Sequence, residues 1–355
     1  MARRLLLAGL AAAAVLWLPS AASAVRPITP PAPEFPQGSA WVNASPFTMK
    51  RLRGRRVVLV TFFNGNTANS IRTLPILKRW WDRYALEGLM IIGIYDADYG
   101  FDRDPRAVRQ AIRRLEIKFP VLIDTDRRLW KGYNNDGWPA HFLIDHRGNI
   151  IHDRVGEGGY REFEEEILLA LGRFNGYDAP KGYKVPKDSP RLECQDATKP
   201  FYLGGSRGKT TVAIRPHELL TLIKTRDGEV GTMGLWRPEA EALRFAGTGR
   251  DMKSRLRLIY QGAEALGILA PPPDGSGRLY IQQDSAWLHA GNANTDVQWD
   301  DEDRSYVEVE SPRLHYLTKN RKWDMHELVL MPLEEGLGVA GFEFSDYCQT
   351  EYDHR

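Results

Sequence analysis

Val57 to Phe63 (VVLVTFF) and Leu89 to Tyr95 (LMIIGIY) are unbroken apolar runs of strand length, and between them Ile71 to Tyr84 carries Leu74, Leu77, Trp81 and Tyr84 at helical spacing. A strand that is apolar on both faces must be covered on both, and parallel neighbours need a crossover, usually a helix, to join them. The pattern continues downstream. Pro105 stands at the first turn of a helix with Val108, Ile112 and Leu115 on one face, and Pro120 to Ile123 is a third strand. His141 to Ile144 and Asn149 to Arg154 then read as a hairpin around Arg147-Gly148, and Tyr160 to Leu171 as a helix buried through Phe163, Ile167, Leu168 and Leu171. Residues 40–174 are therefore expected to form one α/β domain.

The flanks differ in texture. Residues 25–39 hold five prolines and few apolar anchors, which predicts an extended tether with order beginning near Trp41. Residues 175–193 are rich in Gly, Pro, Lys and Asp and read as a linker. From 194 to 355 the apolar runs are short, among them Leu243 to Ala246, Leu256 to Tyr260, Ala265 to Leu269, Leu314 to Leu317 and Glu327 to Leu330. Turn pairs such as Asp227-Gly228, Asp274-Gly275 and Glu335-Gly336 punctuate them, so an all-β jelly roll or sandwich is expected.

Residues 1–24 have the layout of a cleaved signal peptide: Arg3 and Arg4, an apolar core from Leu5 to Leu18, and a small-residue end at Ala22-Ser23-Ala24. That core is too short to span a bilayer and no later segment is longer, so a periplasmic or secreted product without a transmembrane segment is expected. The formal charge of +2 falls to zero without Arg3 and Arg4, which leaves no electrostatic footprint for nucleic acid. The two cysteines, Cys194 and Cys348, flank the second domain; in an oxidising compartment a disulfide clamping its ends is expected.

The order of elements in residues 40–174 is thioredoxin-like, and three segments sharpen the likeness: TFFNGNTANSIRTLPILKRWW from Thr61, WPAHFLID from Trp138 and GEGGYREFEEEI from Gly156. They resemble the extracytoplasmic redoxin domain of DipZ-type thiol-disulfide interchange proteins. The likeness continues through YLGG from Tyr202, DRSYVEVESPRLHYL from Asp303 and HELVLMPLEEGLGVAGFEF from His326, which resemble the carbohydrate-binding-like module of that family. Two departures stand out. No counterpart of that family's membrane-embedded electron-transfer domain is expected here, and a signal peptide is expected in its place. Where that family carries Cys-x-x-Cys before the helix, this chain has Thr67-Ala68-Asn69-Ser70.

The second departure governs the chemistry. Dithiol exchange needs a thiolate to attack and a second thiol to resolve the mixed disulfide, and neither Thr67 nor Ser70 can do either. No catalytic residue is assigned, and no cofactor is expected. The helix N-terminus that would lower the pKa of a cysteine can instead be capped by Thr67, Asn69 or Ser70, or can hold an anion. The resemblance implies that Trp138-Pro139 is a cis bond beside this site, with a backbone edge for an extended peptide. Thr67, Asn69, Ser70, Trp138 and Pro139 are thus the candidate binding residues. They point to a non-catalytic binding or scaffolding protein holding a segment of an envelope or secreted partner. The alternatives are a thiol-disulfide oxidoreductase or antioxidant protein, as the resemblance implies, and glycan binding by the second domain.

Four further features remain. Trp80 is expected to be half-exposed because Trp81 takes the core position, and the basic run Lys50 to Arg56 to be a solvated turn. Trp287, Trp299 and Trp323 could form an aromatic platform for a sugar. Asp296, Asp300, Asp301, Glu302 and Asp303 could bind Ca2+, although a solvated acidic loop is the preferred reading. The eight histidines show no metal-ligand spacing, so no metal site is assigned.

Overall fold

A computed structural model describes residues 29–186, 196–206, 214–216, 227–249 and 252–345. The proposed signal peptide and both cysteines, Cys194 and Cys348, lie outside the described residues. No helix among the described residues is long and apolar enough to cross a membrane.

The first domain is a six-stranded mixed sheet, β1 (Ala40–Val42), β2 (Val57–Phe63), β3 (Leu89–Asp96), β4 (Val121–Asp124), β5 (Ala140–Ile144) and β6 (Ile150–Val155), in the order β1-β4-β3-β2-β5-β6. β2, β3 and β4 are parallel, while β5 runs antiparallel to β2 and β6 antiparallel to β5. Helices α1 (Met49–Leu52), α2 (Ala68–Tyr84), α3 (Pro105–Arg114), α4 (Arg128–Gly132) and α5 (Tyr160–Asn175) complete it. With the cis Trp138-Pro139 bond entering β5, this is a thioredoxin-like fold. The double burial of β2 follows its pleat. Val57, Leu59 and Phe63 face one core with Leu77, Trp80, Val108 and Phe163. Val58, Val60 and Phe62 face another with Met49, Leu52, Leu129 and Tyr133.

Two expectations for this domain are corrected. Order begins before Trp41, because the Pro-rich segment is docked: Pro31 bridges Asn149, and Ala32 and Phe35 are buried in the second core. Phe35 meets Trp41 and Phe47 edge-on at 5.4 and 6.0 Å. Glu34 in the same segment accepts hydrogen bonds from the Met49 and Lys50 amides at the start of α1. Glu34→Ala is expected to cost about 1 kcal/mol, the usual worth of a helix cap; an unchanged urea midpoint would deny it that role. Trp80, expected to be half-exposed, is fully buried, and Trp81 is the partly buried neighbour. The basic run Lys50 to Arg56 is mostly solvent-facing, with Arg56 donating to the Ala85 carbonyl at 2.8 Å.

The second domain is all β: β7 (Phe201–Tyr202), β8 (Ile214–Pro216), β9 (Val230–Met233), β10 (Trp236–Pro238), β11 (Leu243–Phe245), β12 (Arg255–Ala270), β13 (Gly277–Gln283), β14 (Ala286–Trp287), β15 (Val297–Trp299), β16 (Ser305–Val309), β17 (Arg313–Pro332) and β18 (Gly338–Ser345). Among the described residues every pairing of this domain is antiparallel except that of β8 with β9. Runs that read as separate short strands are halves of long ones. β12 joins Leu256–Tyr260 to Ala265–Leu269, and β17 joins Leu314–Leu317 to Glu327–Leu330. Each crosses a corner. The first half of β12 pairs with β9 and the second half with β18, and register shifts near Gly262 and Ala265 turn the strand between them. The two halves enclose a core that includes Leu258, Tyr260, Leu269, Ile281, Leu330 and Phe342, consistent with a β-sandwich.

Candidate functional site at the N-terminus of α2

β2 ends in Phe63 and the chain turns through Asn64-Gly65-Asn66 into α2. Gly65 lies against Tyr95: a Cβ there would sit 3.2 Å from the Tyr95 hydroxyl, tighter than side chains normally pack. Thr67 occupies the N-cap with extended backbone, but its hydroxyl makes no cap bond. It donates instead to the Ser70 Oγ at 2.8 Å, and Ser70 Oγ accepts from the Asn64 amide at 3.2 Å. Both hydroxyls are buried, Ser70 completely, whereas Asn69 is exposed and its Oδ1 accepts from Arg72.

The helix terminus is satisfied from the other domain. The Ala68 amide donates to Glu343 Oε2 of β18 at 2.6 Å, and the Leu314 amide of β17 donates to Asn66 Oδ1 at 3.0 Å. Around these bonds Ala68 and Tyr99 pack with Ala242, Leu266, Ile268, Leu314 and Ala340 in one buried cluster spanning both domains. The acceptor at this helix end is thus a carboxyl group of the chain itself, placed where the helix leaves amides without an intrahelical partner. Burial raises the Glu343 carboxyl to about 7; Asp98 and Glu157 push the same way, while the Ala68 amide and Arg72 oppose it.

Asn66 is aimed by a second buried acid. Asp102, in a short 3-10 turn, accepts from Asn66 Nδ2 at 2.6 Å, Asn64 Nδ2 at 3.2 Å, the Tyr95 hydroxyl at 3.2 Å and the Tyr99 amide at 3.2 Å. Burial raises its pKa to about 6 despite these donors. Holding the amide of Asn66, it leaves the carbonyl oxygen of that side chain turned to Leu314. Gly100, two residues before, donates its amide to both oxygens of Glu241 in the second domain, at 2.7 and 2.8 Å.

The other candidate residues make different contacts. Pro139 is buried and its carbonyl accepts from the Gly156 amide at 2.7 Å. Trp138 is half-buried against Trp130 at 4.9 Å, with the Arg127 guanidinium 5.4 Å from its ring. Two residues past Pro139, His141 meets the Thr61 hydroxyl at 3.0 Å, and complete burial holds its pKa down to about 3. Of the residues expected to line a groove, Thr67 and Ser70 are buried and bond each other, the adjacent Ala68 meets the second domain, and the Pro139 carbonyl is taken by the Gly156 amide. Sequence reasoning missed Glu343, Asp102, Asn64 and Asn66. The one local signal was a pair of asparagines around a glycine directly after a buried strand.

The remaining candidates belong to the second domain. Trp287 and Trp299 line one open hollow of about 470 Å³ with Leu288, His289 and Asp303, and Trp299 is 42% exposed. Trp323 does not line it; it sits in β17 where the pairing with β12 jumps from Asp324 to Lys319. In the acidic run, Asp296 binds Arg313 through both oxygens at 2.8 Å, and Asp300 pairs with Arg304 at 2.7 Å, so these two carboxylates are engaged by arginine. Among the described residues no group of three or more His, Cys, Asp or Glu is placed to hold a metal ion.

Residues 28–153 match the AhpC/TSA family. The chain is 33% identical over 161 residues to Protein DipZ of Mycobacterium tuberculosis, covering 44% of this chain and 22% of that protein. It therefore spans about a fifth of the length of the DipZ proteins it matches. It is 23% identical over 141 residues to the thiol-disulfide oxidoreductase YkuV of Bacillus subtilis, covering 40% of this chain and 94% of YkuV. Among solved structures, a thiol-disulfide isomerase from Corynebacterium glutamicum aligns at 25% identity and a TM-score of 0.35, over 41% of this chain and 98% of its own.

Proposed function

We propose that this chain is a non-catalytic binding or scaffolding protein of the periplasm or cell exterior, built on a thioredoxin-like domain in which Thr67 and Ser70 stand where relatives carry a redox-active pair. One observation carries the reading: the two hydroxyls at the start of α2 bond each other 2.8 Å apart in a buried site, and no cysteine occurs anywhere in residues 1–193. Without a thiol there is nothing to attack a disulfide and nothing to resolve a mixed one. The buried amides and acids that a reactive site would spend on a substrate are spent here on one another and on the second domain. An envelope or secreted partner would then be met on surfaces left open beside the site, such as exposed Asn69 and half-buried Trp138.

The names of the relatives favour a different reading, thiol-disulfide oxidoreduction, which in this chain would have to run through Cys194, Cys348 or a cysteine brought by a partner. Insulin-disulfide reduction by the purified natural chain with dithiothreitol separates the two. No turnover above the dithiothreitol blank is expected, and sustained turnover that vanishes on Cys194→Ser or Cys348→Ser would establish the oxidoreductase. The exposed face of Trp299 beside Trp287 favours a further, compatible role in glycan recognition, since a flat aromatic face over an open hollow suits the apolar face of a sugar ring.

A further inference from the structure

We infer that the second domain is the resident occupant of the thioredoxin site: it seats on the N-terminal turn of α2 in the place of an external partner and shields positions 67 and 70 from any other protein. The inference rests on the proposed non-catalytic reading but is tested separately from it.

Three kinds of contact meet at one spot. Glu343 supplies the acceptor for the Ala68 amide, one of the first-turn amides that a helix leaves without an intrahelical partner. The Leu314 amide of β17 completes the Asn66 side chain, itself locked by Asp102. Leu266, Ile268, Leu314 and Ala340, from three different strands, press on Ala68 and on the edge of Ile71, excluding water from both polar bonds. Glu241 adds a fourth tie at Gly100, on the neighbouring loop. A backbone amide, a carboxylate, a side-chain amide and an apolar patch are the elements by which an extended protein segment is held at a sheet-and-helix edge. Here strands of the same chain provide them all. Asn69, on the same turn, stays exposed. The cover is thus local to the first-turn amide and the two hydroxyls and leaves the outer side of α2 open.

Two measurements test the cover. In the natural chain, the Ala68 amide is expected to exchange with deuterium about 100-fold more slowly than in Glu343→Ala, because its exchange then needs the domains to part. Exchange at an unprotected rate in the natural chain would overturn the inference. In the second measurement Thr67→Cys and Asn69→Cys are compared for maleimide labelling, read peptide by peptide so that Cys194 and Cys348 do not interfere. Asn69→Cys is expected to label freely and Thr67→Cys about 100-fold more slowly, with the difference collapsing when Glu343→Lys and Glu241→Lys are added to part the domains. Equal labelling of the two positions in the otherwise natural chain would also overturn it. Neither readout depends on enzymatic turnover, so insulin reduction by the natural chain would sink the non-catalytic proposal while leaving the cover standing, and free exchange at Ala68 would do the reverse.

Discussion

Trp80→Ala is expected to destabilise the α/β domain by about 3–5 kcal/mol, the range for deleting a large aromatic from a closed core. Trp80 is entirely buried, stacked on Phe163 at 5.7 Å and edge-on to Tyr160 at 6.4 Å, so its removal opens a cavity between α2 and α5 that neither helix can close without leaving the sheet. Trp81→Ala is the matched control. That ring is only partly buried, meeting Phe119 edge-on at 6.3 Å, and its loss is expected to cost less than half as much. Urea unfolding of the two variants beside the natural chain decides it. A smaller loss for Trp80→Ala than for Trp81→Ala would mean that α2 is rotated from the orientation described.

Glu343→Gln is expected to stabilise the chain above neutral pH, although it alters a residue in the interface between the domains. The carboxyl is raised from its ordinary 4.5 to about 7 by burial, so the folded state holds its proton over a range in which the unfolded chain has released it. Stability from this group is therefore complete below pH 4.5 and is lost as pH rises toward 7, by about 3 kcal/mol for a shift of this size. Glutamine keeps an oxygen for the Ala68 amide and has no proton to lose. The two chains should unfold alike at pH 4, and the variant should lead by up to about 3 kcal/mol at pH 8. Asp102, raised to about 6, drifts in the same direction, and His141 and His315, both held down to about 3, oppose it by losing stability as pH falls below 6.5. Those titrations are common to both chains and cancel in the difference. A difference that stays flat from pH 5 to 8 would show that the Glu343 carboxyl is solvated and the interface open.

The tryptophan pair shows where one sequence stops determining its fold. From Leu77, a helix reaches Tyr84 through position 80 or through position 81 with equally good spacing, so periodicity cannot choose between them. The choice is made by Phe163 on α5, more than eighty residues away. The strands of the first domain were legible because each is apolar throughout and flanked by turn residues. In β12 and β17 the apolar pattern breaks at Gln261-Gly262 and across Thr318 to His326, where the strands turn a corner and the pairing shifts, so each read as two. The Pro-rich segment misled in another way. Proline forbids helix but not docking, and a single phenylalanine, Phe35, with a glutamate beside it was enough to fix it to the domain. At the site, the hydroxyls of Thr67 and Ser70 could be placed at a helix start from local pattern alone. Nothing local marks Glu343 as the partner of the Ala68 amide, since it lies 275 residues away and alternates with apolar neighbours like any strand residue.

That separation has a bearing on how the chain comes to be made. A ribosome finishes the whole of the α/β domain long before it reaches β18, so the nascent first domain emerges with the Ala68 amide uncovered and the Ala68–Ile71 surface wet. For that interval the molecule carries an open, positively poled helix end that the finished protein never shows. Closure of this contact therefore has to wait until β18 has been made.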